Sequence, residues 1–178
     1  MQKRTFHLTA PNTTDYKCFI SNRNSLRKAF ELWESASSLR FVEKPDDEKT
    51  DVEISFARKV HGDKMPFDGK YGIIAHAFYP TDGHLHFDAD EMWTFNSNQG
   101  INFYQTAVHE IGHLIGLEHS TDERAVMYPA NKPYSAAFTL ADDDIRGVRK
   151  LYSTFPNINV NINNINKSQN IEQHNETV

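Results

Sequence analysis

Apolar residues recur along this chain with two different periods. Phe6-His7-Leu8-Thr9 and Leu39-Arg40-Phe41-Val42 read as short strands. Val52, Ile54 and Phe56 alternate with polar residues, the pattern of a half-buried strand. Leu26, Ala29, Phe30 and Trp33 repeat at three and four, which predicts a helix over about 25–35 with Asn24 or Ser25 as N-cap. Cys18-Phe19-Ile20 either prolongs the first strand or leads into that helix. Residues 58–92 show little helical periodicity, apart from a strand over 73–78. A second helix is predicted from Ile101 to about Gly116. A third starts with Thr139-Leu140-Ala141-Asp142, a capping-box-like sequence, and buries Ile145, Val148, Leu151 and Tyr152. Beyond Phe155-Pro156 the composition turns to Asn, Ile, Gln and Ser. The chain thus reads as one domain, residues 1–155, and a disordered Asn-rich tail, 156–178.

The second helix carries the most informative stretch, His109-Glu110-Ile111-Gly112-His113 through Gly116 to His119. Residues four apart share a helix face, so His109 and His113 can grip one small ion, and Glu110 can reach a water bound to it. Gly116 lets the chain leave the helix with positive φ and turn back, bringing His119 in as a third ligand. Three neutral imidazoles with a fourth position open describe a catalytic zinc site, whereas a structural site is closed. The bland reading, an amphipathic helix with Ile111, Leu114 and Ile115 in the core, leaves Gly116 and His119 unexplained.

Composition narrows the picture. The 178 residues suffice for one core, and a net charge of −5 without a long basic run makes nucleic acid an unexpected partner. No apolar stretch approaches 18 residues, so no membrane span is expected, and residues 1–6 show no signal-peptide core. The single cysteine, Cys18, excludes an internal disulfide and reads as a buried thiol. Nine histidines are the oddity, and seven of them fall between positions 61 and 119.

His61, Asp63, His76 and His86 offer three imidazoles and one carboxylate, the donor set of a closed tetrahedral zinc site that would pin a long irregular segment. Scattered solvated side chains are the alternative, and spacing cannot separate His84 from His86. Asp68-Gly69, Asp88 and Glu91 offer the hard oxygens that calcium takes, or merely a solvated acidic loop. Met127, eight residues after His119, reads as packing.

These residues carry a resemblance to the catalytic domain of matrixins, the matrix metalloproteinases of the metzincin clan. The extended histidine motif continues to Ser120 and a Met-turn at Met127. His61-Gly62-Asp63, Pro66-Phe67-Asp68-Gly69, Ala75-His76-Ala77-Phe78, His86-Phe87-Asp88-Ala89-Asp90-Glu91 and Leu140-Ala141-Asp142-Asp143-Asp144-Ile145 match family segments in order. The resemblance spans roughly residues 5–154. It implies an α+β, zincin-like metzincin fold: a twisted five-stranded mixed sheet with three helices. It places the structural zinc on His61, Asp63, His76 and His86, choosing His86 over His84. It places calcium on Asp68, Asp88 and Glu91 with backbone oxygens of Gly69, Tyr71 and Ile73. Two zinc ions and at least one calcium are therefore expected. A second calcium is not, because His84 falls where an acidic ligand belongs.

The implied activity is zinc-dependent hydrolysis of internal peptide bonds in matrix-type or other extended substrates, with Glu110 as the base. Substrate lies along the strand at Ile74 and Ala75, with a hydrophobic residue after the cut in a pocket bounded by Gln105, Pro129 and Asn131. Pro129-Ala130-Asn131 departs from the family's usual Pro-X-Tyr, which leaves pocket depth open. The resemblance also implies a secreted monomer met by protein inhibitors. The sequence shows no propeptide with a cysteine switch and no hemopexin-like domain, so cleavage of intact triple-helical collagen is not expected. Two other classes stay in view. One is a non-catalytic zinc-stabilised decoy, against which the intact Glu110 argues. The other is a metal-buffering protein, disfavoured by two distinct histidine geometries.

Overall fold

A computed structural model describes residues 2–9, 16–45 and 48–153, with side chains from residue 21 onward in the second stretch. The Asn-rich tail expected over 156–178 lies outside the described residues, as does the side chain of Cys18. Strand β1 (Gln2–Leu8) is followed by helix α1 (Tyr16–Ala36), β2 (Leu39–Glu43), β3 (Val52–Ala57), β4 (Ala75–Ala77) and β5 (His84–Asp88). Two short strands, β6 (Trp93–Thr94) and β7 (Ile101–Asn102), then lead into α2 (Phe103–Leu114) and α3 (Asp142–Tyr152).

The main sheet has five strands in the order β2-β1-β3-β5-β4. β1 pairs in parallel with β2 and β3, β3 with β5, and only β4 runs antiparallel, at the edge against β5. This is the five-stranded mixed sheet with three helices that the resemblance implies. Core side chains come from the strands' alternate positions, Phe6 and Leu8, Val52 and Ile54, Leu85 and Phe87, and meet Leu26, Phe30 and Trp33 of α1 and Phe103, Val108 and Ile111 of α2.

Several boundaries differ from those predicted: β1 spans Gln2–Leu8 and not 6–9, and β4 spans Ala75–Ala77 and not 73–78. α1 begins at Tyr16, so Cys18-Phe19-Ile20 belongs to the helix and not to a strand. α2 begins at Phe103, because Ile101 and Asn102 pair with Trp93 and Thr94, and the Asn102 side chain caps the helix by accepting from the Gln105 N–H at 3.0 Å. α3 starts two or three residues later than Thr139 suggests. Its N-cap is Ala141, whose N–H donates to the Asp144 carboxylate at 2.8 Å.

Asp144 does more than cap. It is 2% exposed, and the same carboxylate accepts from the N–H groups of Val126 at 2.8 Å and Met127 at 3.1 Å. It thus ties the turn at Met127 to α3. Trp33 ties α1 to α2 by donating from Nε1 to the Val108 carbonyl at 2.9 Å. Gly112 then lets the turn approach α2, since a Cβ there would lie 2.2 Å from Met127 Sδ.

Asp144→Ala leaves three backbone N–H groups without their acceptor. It is expected to cost about 3 kcal/mol or more, read as a shifted urea midpoint at fixed zinc and calcium.

Candidate active site and metal centres

α2 presents His109 and His113 one turn apart on one face. The chain leaves the helix where Gly116 takes a φ of +94°, and the Leu117 N–H returns to the Gly112 carbonyl at 2.9 Å. That turn delivers His119. The three rings face one another with centroids 4.8 to 5.3 Å apart. His113 Nε2 and His119 Nε2 are 3.2 Å apart. A tetrahedral ion with Zn–N bonds of about 2.0–2.1 Å sets nitrogens about 3.3 Å apart, so the spacing fits zinc. The far ring nitrogens are occupied: His109 Nδ1 donates to the Val126 carbonyl at 2.7 Å and His113 Nδ1 to the Leu117 carbonyl at 2.8 Å. Those bonds fix the tautomers and aim Nε2 inward.

Burial pushes the His109 imidazole down to about 4, and lowers His113 as well. Neutral rings are the form that binds metal. Glu110 lies beside them, 7% exposed, and burial pushes its carboxyl up to about 8. A poorly solvated carboxylate is a strong proton acceptor.

The second group is closed. Asp63 Oδ2 lies 3.0 Å from His61 Nε2 and 2.9 Å from both His76 Nε2 and His86 Nδ1. The ring nitrogens of His61 and His76 are 3.4 Å apart, and those of His76 and His86 3.2 Å. Four donor atoms thus surround one point at tetrahedral spacing, with the other Asp63 oxygen held by the Met65 N–H at 2.9 Å. Burial works to raise the Asp63 carboxyl, but the Met65 N–H and the His76 and His86 rings outweigh it and hold it well below the usual range. His84 is turned away to Asp82, 2.7 Å from its Nδ1, and to Glu53.

Asp68, Asp88 and Glu91 do not converge as closely as the two histidine groups. Their chemistry still asks for a cation. Asp88 Oδ2 and Glu91 Oε1 are buried without a hydrogen-bond partner. Burial raises both carboxyls, and the Asp68 charge pushes each further. Gly72 makes room for Asp68, since a Cβ there would lie 2.0 Å from Asp68 Oδ2. Gly69, Tyr71 and Ile73 lie on the same loop. The donor set of carboxylate and carbonyl oxygens suits calcium.

A cleft of about 570 Å³ runs past His109, Glu110 and His119. Ile73, Ile74 and Ala75 form one wall, and Pro129, Asn131 and Lys132 the other. Gln105 lies at its inner end, 6% exposed, and its amide is consumed by the opposite wall: Oε1 accepts from the Ser135 N–H at 2.6 Å and Nε2 donates to the Pro133 carbonyl at 3.1 Å. Lys132 braces the same wall through the Ala125 carbonyl at 2.6 Å. Sequence reasoning gave no role to Lys132 or to Asp144 and did not foresee the Trp33 bond. Only Asp144 left a signal, standing three residues after the true N-cap.

Two histidine groups, a buried glutamate and a cleft along a sheet edge define a class, the catalytic domain of a zinc-dependent peptidase. A sequence model of matrixins matches residues 3–153. The chain is 45% identical over 162 residues, 87% of its length, to Metalloendoproteinase 1 of Glycine max. It is 45% identical over 132 residues, 74% of its length, to Hatching enzyme of Paracentrotus lividus, and 40% identical over 163 residues, 83% of its length, to Matrix metalloproteinase-15 of Homo sapiens. It covers 53%, 22% and 24% of those three proteins respectively, so it spans about half their length or less. The chain belongs to the matrixin family of zinc metalloendopeptidases.

The Glu110 carboxyl gives a pH signature in the chelated protein. Its folded pKa stands above the ordinary 4.5, so the folded state holds a proton that the unfolded state has lost between pH 4.5 and about 8. Its contribution to stability is therefore complete below 4.5 and lost as pH rises through 8. Glu110→Gln cannot ionise. In metal-free samples its melting temperature, relative to wild type, is expected to climb between pH 4.5 and 8 and then level off.

Proposed function

We propose that this domain cuts internal peptide bonds of extended protein segments, including extracellular-matrix-type substrates. The observation that carries the reading is the three-histidine group with one side open to the cleft, Glu110 buried beside it, and a free strand edge alongside. On either side of β4 the Asp88 N–H donates to the Ile74 carbonyl and the Phe78 N–H to the His84 carbonyl. Even-numbered residues therefore bond to β5, which leaves the peptide groups of Ala75 and Ala77 facing outward. A substrate strand adds there, its backbone giving affinity without regard to sequence.

His109, His113 and His119 hold zinc. When bound, zinc supplies Lewis acidity toward a water and toward the scissile carbonyl. Glu110 takes the proton from the attacking water and delivers it to the leaving amine. The outward amides near Ala75 keep the peptide extended across the site. A hydrophobic residue after the cut enters the space before Gln105, between Pro129 and Asn131 on one side and the strand on the other. His61, Asp63, His76 and His86 hold a second, structural zinc, and Asp68, Asp88 and Glu91 with the carbonyls of Gly69, Tyr71 and Ile73 hold calcium. A monomer acting outside the cell, where protein inhibitors meet it, completes the proposal.

The test is cleavage of an internally quenched Pro-Leu-Gly-Leu-type peptide by wild type and Glu110→Gln, each first assayed for bound zinc. Turnover is expected to fall by about 10²–10⁴ in the variant with zinc content unchanged. Equal turnover in the two would remove Glu110 as the base. A zinc-loaded wild type that left a broad peptide library intact would favour a non-catalytic binding module.

A further inference from the structure

The two metal-binding sets around the irregular segment are interleaved. His61 and Asp63 precede Asp68, Gly69, Tyr71 and Ile73 on one loop, and His86 and Asp88 are two residues apart on β5. Lys59 stands where the sets join. Its φ is +49°, a left-handed conformation that non-glycine residues rarely adopt. Held so, its carbonyl accepts from His61 Nδ1 at 2.7 Å and from the Phe67 N–H at 3.0 Å. The first bond aims the opposite nitrogen of His61 at the histidine–aspartate centre. The second fixes Phe67, the residue before Asp68, and the Phe67 ring also stacks on His61 with centroids 4.8 Å apart. The Lys59 ammonium donates to the Asp68 carbonyl at 2.8 Å. Gly69 leaves the space for it, since a Cβ there would lie 2.8 Å from Nζ.

We propose that the structural zinc and calcium bind this chain cooperatively, with Lys59 as the positioning residue that joins their sites. The inference rests on the assignment of Asp68, Asp88 and Glu91 to calcium. Whichever metal binds first orders the loop through Lys59, so the second meets donors already placed. Linkage makes the effect reciprocal: calcium must slow the loss of zinc as zinc tightens calcium. Lys59 touches neither metal. Its carbonyl serves the zinc side and its ammonium the calcium side, so the two can be separated by mutation.

The experiment uses the full chain carrying Glu110→Gln, which prevents self-digestion. Terbium luminescence reports the calcium site. A chromogenic chelator reports zinc release, and the structural phase is the one that disappears in Asp63→Ala. Withdrawing calcium with EGTA is expected to speed that phase about tenfold. Lys59→Gly keeps the backbone conformation and its carbonyl but loses the ammonium. It is expected to weaken calcium, measured by competition with terbium, about tenfold, the worth of one charged hydrogen bond, and to leave EGTA with less than a twofold effect on zinc. Lys59→Arg is expected to restore both. If wild type binds terbium but releases zinc at the same rate with and without calcium, there is no coupling. If EGTA acts equally on wild type and Lys59→Gly, the coupling does not run through Lys59. Tighter calcium binding by Lys59→Gly would make the ammonium a competitor and overturn the proposal. A wild type that binds neither terbium nor calcium would remove the calcium assignment itself, leaving the peptidase reading in place.

Discussion

The buried carboxylate of Asp144 holds the active site's parts in register. Its two oxygens serve the N–H groups of Val126, Met127 and Ala141. Val126 in turn presents the carbonyl that orients His109, and Met127 packs on Gly112 between the two helical histidines. A single charged side chain from the last helix therefore sets the floor beneath three imidazoles that come from a different helix and its exit turn. A buried carboxylate with all its bonds made is stabilising only as a complete set, which explains why so few contacts suffice to define the geometry.

The irregular segment before β5 follows another logic. It has too few apolar residues to fold by burial, and of those around it Val60, Met65, Tyr71 and Ile73 are exposed. Its order comes from polar groups facing one another: three imidazoles around one carboxylate, and two buried carboxylate oxygens with no proton donor. Such arrangements are unfavourable without cations between them. The segment that shapes one wall of the cleft thus gathers polar clusters where the sheet and the helices meet through apolar side chains.

That division bears on the cleft. One wall is a strand edge whose peptide groups are free to pair, and it leads directly out of the irregular segment that carries the histidine–aspartate group. The other is a loop tied to α2 by the Gln105 amide and braced by Lys132. The first wall presents the outward peptide groups of Ala75 and Ala77. The second presents side chains, Pro129, Asn131 and Lys132, to the cleft.

The sequence by itself determined much of this. Periodicity located the three helices and the first three strands, because burial of one face imposes a repeat on the chain. The spacing of His109, His113 and His119 around Gly116 announced an open three-nitrogen group, because helix geometry and one positive φ are local properties. Spacing could not choose between His84 and His86, although resemblance did. Tertiary structure separates them physically, pairing β4 with β5 so that His76 faces His86 while His84 turns to Asp82. The start of α1 and the entry to α2 also went unread, the latter because the pairing of Ile101 and Asn102 with Trp93 and Thr94 joins two-residue strands too short to show a repeat. The roles of Asp144, Trp33, Lys132 and Lys59 belong to the fold alone. Each acts through a bond to a backbone group remote in sequence or through an unusual φ, and neither leaves a periodic trace in the order of residues.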